Sequence, residues 1–109
     1  MKTIPLSPYP GVVYFTEDAA EYRRKFKKLT SRPADLRHNA LGQTAQLHAR
    51  GYPNSYIVLA REDETGATLA HEMAHVCLDL FKDLGMDPAQ NNGEPFCYLL
   101  DHLISEAKQ

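Results

Sequence analysis

The sequence lacks any apolar run approaching the roughly 20 residues that a membrane-spanning helix needs. Met1-Lys2-Thr3-Ile4-Pro5 offers neither an apolar core nor a small-residue cleavage site for a secretory signal, so a cytoplasmic protein without membrane contact is expected. Charge of one sign is also lacking. The net value of -2 is too small for bulk attraction to nucleic acid or anionic lipid. Cysteine is scarce: Cys77 and Cys97 stand far apart without metal-knuckle spacing, which predicts two reduced thiols. No repeat, low-complexity tract or linker divides the 109 residues, so they are read as one domain, 1–109. A hydrophobic fraction of 43% beside 24% charged residues suits one modest core.

What is present reads as a short series of elements. Three prolines in residues 1–10 give an extended lead-in, and Gly11 opens Val12-Val13-Tyr14-Phe15, a run of the buried-strand type. Thr16 is placed to cap a helix over 17–29, where Ala19, Tyr22, Phe26 and Leu29 recur at helical spacing, and Ser31-Arg32-Pro33 ends it. Weak alternation over 43–49, a turn at Gly51-Tyr52-Pro53-Asn54 and a β-rich run over 55–60 predict a hairpin. A long helix starts near Thr65 and runs to Leu84 before Gly85, and a last helix spans 94–107 with Pro95 in its first turn. The expected fold class is α+β, a small sheet of about three strands packed against helices.

Chemistry concentrates in the long helix, at His71-Glu72-Met73-Ala74-His75. Residues four apart share a helical face with Cβ atoms about 5–6 Å apart, so two imidazoles there can close on one Zn2+ at about 2.0–2.1 Å. Glu72, turned about 100° from His71, borders such a metal without being forced to ligate it, the position of a general base for the attacking water. Leu69, Met73, Val76, Cys77, Leu80 and Leu84 form a separate apolar face by which the helix docks. Catalytic zinc needs a third protein ligand and an open position. Glu94, 19 residues past His75 at the start of the next helix, is the first choice. Its competitors are Asp101, His102 and Cys97, and Cys97 as a fourth ligand would close the site into a structural one. Asp79, one turn after His75, and Tyr98 and Asp101, in line with Glu94, are the candidate outer partners of the metal ligands.

His71-Glu72-x-x-His75 followed by Glu94 on a second helix resembles the gluzincin branch of zinc metallopeptidases. The resemblance implies a minimal zincin-like architecture akin to the thermolysin-like active-site subdomain, with a strand over 55–60 leading into the active-site helix. It implies zinc on His71, His75 and Glu94, catalysis by Glu72, and an extended peptide or protein substrate pairing with an edge strand. The chain is also similar to small HExxH proteins encoded by phages and prophages, through Gly93-Glu94-Pro95-Phe96-Cys97-Tyr98-Leu99-Leu100. That implies a phage protein acting in host cytoplasm, alone, as a homo-oligomer or with an assembly partner. The sequence departs from gluzincins where Tyr98 stands four residues after Glu94 in place of their Asp. Gluzincins take an oxyanion-stabilising His or Tyr from a further domain, and His38, His48, Tyr52 and Tyr56 are the upstream polar aromatics expected to be able to replace it here.

Two functions from different classes follow. One is a zinc-dependent peptidase. The other is a non-catalytic phage assembly or protein-binding module whose zinc is structural or vestigial; a fourth ligand, or Glu72 held in an ion pair, would mark it. A third reading, nucleic-acid binding by the basic stretch Tyr22-Arg23-Arg24-Lys25-Phe26-Lys27-Lys28, is the weaker account, since its aromatics fall at core spacing and its charges on the remaining faces.

Overall fold

Six consecutive buried residues, Ser55–Ala60 (β4), make the centre of the sheet, and a strand covered on both faces needs such a run in place of alternation. The computed structural model describes residues 1–47 and 53–109. Val12–Thr16 (β2) pairs parallel with β4, and Gly42–Gln46 (β3) pairs antiparallel on its other side. Lys2–Pro5 (β1), antiparallel to β2, completes a four-stranded mixed sheet in the order β1-β2-β4-β3. The sheet thus has one strand more than the sequence suggests: the proline-bearing lead-in pairs because Pro5 closes an outer strand, where its missing N–H costs no ladder bond. Gly11 is required at the entry to β2. Its φ of 114° is left-handed, and a Cβ there would stand 1.9 Å from the Asn54 carbonyl oxygen, next to the 3.2 Å bond from Val12 N–H to that oxygen.

Of the predicted hairpin, β3 to β4 is antiparallel as expected; residues 48–49 of its first arm and Gly51 and Tyr52 of its turn lie outside the described residues. Ala19–Thr30 (α1) covers one face of the sheet, burying Ala19 and Tyr22 against Leu47, Ile57 and Leu59. Its cap is Asp18, whose carboxylate accepts from Ala20 N–H, while the Thr16 hydroxyl accepts from Asp18 N–H at 3.0 Å. The charges of α1 are partly spent on the fold: Lys25 lies 4.5 Å over the Tyr14 ring, and Arg23 donates to the Leu36 carbonyl at 3.1 Å.

The opposite face carries Ala67–Asp83 (α2) and Glu94–Ala107 (α3), packed over Ile4, Val13, Phe15, Tyr56 and Val58. From α2, Met73, Val76, Cys77, Leu80 and Phe81 are buried in that layer. At about 1.5–3 kcal/mol for each fully buried large apolar side chain, this stripe anchors the helix and leaves its outer face without a structural duty. The loop before α2 holds its start: the Asp63 carboxylate accepts from the N–H groups of Gly66 and Thr68 and from the Thr68 hydroxyl, the last at 2.7 Å. The two helices run antiparallel. Phe81 near the end of α2 meets Phe96 at the start of α3 edge to face at 5.7 Å, and Lys108 after α3 approaches Gly66 before α2. Among the described residues no helix is long and apolar enough to cross a membrane.

Candidate metal centre

His71 and His75 project from the outer face of α2, one turn apart and away from the sheet, and the His71 side chain is 67% exposed. Their rings sit at 83° with centroids 4.7 Å apart, and the two Nε2 atoms are 3.1 Å apart. A zinc ion at about 2.05 Å from both would subtend about 98°, and opening to the tetrahedral value asks for a separation of about 3.3 Å. A rotation of a few degrees in either ring supplies the difference, so the pair fits two vertices of a zinc site.

Glu72 points sideways, toward the sheet edge, and only 8% of it is exposed. A buried carboxylate needs partners. Here the Thr44 hydroxyl of β3 donates to Oε1 at 2.8 Å and also lies 3.1 Å from the Glu72 carbonyl oxygen. The other oxygen, Oε2, lies 4.0 Å from His71 Nε2. Strand alternation aims Gly42, Thr44 and Gln46 at α2 and Gln43 and Ala45 at α1. Gly42 makes room for the carboxylate: a Cβ there would lie 2.9 Å from Glu72 Cγ and 3.0 Å from Oε2. An open recess of about 470 Å3, lined by Leu41, Gly42, Ala67 and Thr68, leads to His71 and Glu72. A recess of similar size, about 490 Å3, lies at Ala60–Gly66 and includes none of these residues.

The structure brings His71, Glu72 and His75 together and sets Glu94 apart. The Phe81–Phe96 contact puts the first turn of α3 level with the last turn of α2, so exposed Glu94 stands about 12 Å, or a little over two helical turns, beyond His75 along the axis. The short connection does make the helices antiparallel neighbours, but residues 84–93 return the chain at the far end of α2 and not at the motif turn. By the same reckoning Asp101 and His102 are level with Val76 and His75, yet Asp101 is exposed and His102 Nε2 is turned to the Pro5 carbonyl at 3.0 Å. Among the described residues no three His, Cys, Asp or Glu side chains converge as a metal set.

Of the other expected partners, Tyr98 is 71% exposed. Asp79 lies on the flank of α2 that overhangs Tyr56, whose phenol is raised above its ordinary range by burial and then by the Asp83 and Asp79 carboxylates. Tyr56 is therefore a core residue, and His38 sits in an exposed loop; His48 and Tyr52 lie outside the described residues. Cys97 is exposed and Cys77 buried, both free, and burial pushes the Cys77 thiol up to about 12. Sequence reasoning missed Thr44 and Gly42. The only signal for Thr44 was the alternation of the second predicted strand, which says that every other residue faces a helix without saying which one; Gly42 lies before that strand. Comparison with family models, curated proteins and solved structures returns no match.

Proposed function

We propose that this protein is a phage-type zinc peptidase that hydrolyses an amide bond of an extended peptide or protein, with Glu72 as the proton carrier. The observation that carries the reading is the state of Glu72: buried beside two metal-competent imidazoles, with Oε1 held by the Thr44 hydroxyl and Oε2 4.0 Å from His71 Nε2. Zinc, when bound, would polarise the substrate carbonyl and bring the pKa of a water toward neutrality. His71 and His75 would hold it through Nε2 as neutral imidazoles. Glu72 Oε2 takes the proton of the attacking water and returns it to the departing amine. The recess of Leu41, Gly42, Ala67 and Thr68 gives substrate access to that oxygen, and the unpaired side of β3 offers a peptide backbone the N–H and C=O partners of one more strand. Glu94, the third ligand the resemblance implies, would reach the zinc only if the first turn of α3 moved toward the motif.

A second reading keeps the metal and drops the reaction: an assembly or protein-binding module. It is favoured by the lack, among the described residues, of a third donor beside the two histidines. The experiment that separates them incubates zinc-loaded wild type and Glu72→Gln with a degenerate peptide library and reads new termini by mass spectrometry. The peptidase cuts as wild type and loses about 10²–10⁴-fold of its rate as Glu72→Gln. A wild type that cuts nothing leaves the module.

A further inference from the structure

Glu72 is useful as a base only if its free oxygen stays aimed at the metal, and a glutamate has three rotatable bonds with which to leave. Within its own helix the carboxylate meets His71 Nε2 only at 4.0 Å, beyond hydrogen-bond distance. The restraint comes from β3. Thr44 faces α2 from the outer strand of the sheet, fixed there by its pairing with Val58 of the buried β4. Its single hydroxyl proton has two acceptors within reach, the Glu72 carbonyl oxygen at 3.1 Å and Oε1 at 2.8 Å. A hydroxyl donates once, and the nearer oxygen, Oε1, takes that proton. With Oε1 tied, the carboxylate plane is set and Oε2 is the oxygen left toward His71. Gly42, two residues earlier on the same face, borders Oε2 without a side chain that would deflect it.

We infer that Thr44 is a positioning residue for the reaction: it clamps Oε1 of Glu72 so that Oε2 alone serves the attacking water. The inference rests on the peptidase reading and adds to it a residue outside the motif. Thr44 is not among the residues lining the recess and is bonded to Glu72, so it acts through the orientation of Glu72.

The test compares Thr44→Val, which keeps the shape and removes the hydroxyl, with Thr44→Ser, which keeps the hydroxyl. The first readout is the 13C resonance of the Glu72 side-chain carboxyl in metal-free protein at fixed pH. The second is kcat and KM on the best peptide cut by the zinc-loaded wild type. Far-UV circular dichroism and zinc affinity establish that each variant is folded and loads metal. The expected result is a moved carboxyl resonance and a kcat lower by about tenfold for Thr44→Val, the effect of one hydrogen bond to a charged group. KM and zinc affinity stay as in wild type, because the imidazoles lie on another face of α2, and Thr44→Ser restores both readouts. An active wild type matched by Thr44→Val in kcat overturns the inference alone. A wild type inert on every peptide overturns the peptidase reading and, with it, the role given to Thr44. Loss of zinc affinity in Thr44→Val equal to its loss of rate would make Thr44 structural and overturn the inference as well.

Discussion

On the peptidase reading, replacing Gly42 by alanine should damage catalysis and stability together while leaving His71 and His75 alone. The added Cβ would meet Glu72 Cγ at 2.9 Å, Thr68 Cγ2 at 2.9 Å and Glu72 Oε2 at 3.0 Å. Carbon atoms in ordinary contact stand about 3.5–4.0 Å apart, so at least about 0.6 Å must be found against two side chains at once. Thr68 and Glu72 are one turn apart on α2, so a rotamer change in one does not relieve the other, and moving the helix would disturb its buried stripe. Overpacking of this kind costs about 1–3 kcal/mol, and the loss of a glycine's freedom in the unfolded chain returns about 0.4–1 kcal/mol. The net is a destabilisation of about 1 kcal/mol, seen as a melting temperature lower by about 4–8 °C for a domain of this size. The assay is a thermal melt by circular dichroism, paired with zinc titration and peptide cleavage on the same sample. Cleavage should fall with the displaced carboxylate while zinc affinity holds. A Gly42→Ala protein that melts at or above wild type and cleaves at the wild-type rate would refute the close approach of β3 to Glu72.

Three further outcomes follow from the packing. Ellman's reagent should titrate Cys97 in the native protein and reach Cys77 only on unfolding, since Cys77 is buried with its thiol pushed up to about 12; two fast thiols would contradict the core placement. Hydrogen bonds from the Thr68 hydroxyl and backbone and from Gly66 N–H hold the Asp63 carboxyl below its ordinary range, so its contribution is present above the unfolded pKa and lost as pH falls through the folded one. The difference in melting temperature between wild type and Asp63→Asn should therefore shrink on acidification below about pH 4, and a gap that persists there would show that the charge is not what holds the start of α2. As the helices lie, Glu94→Gln should leave zinc affinity unchanged in a competition titration. A loss of about tenfold, or about 1.4 kcal/mol, would mean that the start of α3 swings to the motif when metal binds.

The parts of the fold set by local pattern were legible in the sequence. The strand over 55–60, the helix ends near Ser31 and Gly85 and the last helix over 94–107 all follow from apolar period and punctuation, and the structure has them within a few residues. The lead-in was not legible as a strand, because Pro5 and its neighbours show no alternation and β1 is made by pairing with β2. At the site, the helical period alone puts His71 and His75 one turn apart and turns Glu72 aside. What the period cannot give is the level at which two helices pack. That is decided by Phe81 against Phe96 and by the return through residues 84–93, and it moves Glu94 away from the motif. Thr44 and Gly42 were hidden for the same reason: their bearing on Glu72 depends on tertiary register between an outer strand and a helix, to which their own sequence neighbourhood carries no clue.

The most direct test of the account is the zinc K-edge X-ray absorption spectrum of the zinc-loaded protein beside that of His71→Ala. The account predicts two imidazole nitrogens at about 2.0–2.1 Å with lighter-atom ligands completing the shell, and loss of the bound metal in the variant. A sulfur shell at about 2.3 Å, the mark of Cys97 in a closed site, or a spectrum that His71→Ala leaves unchanged, would contradict it.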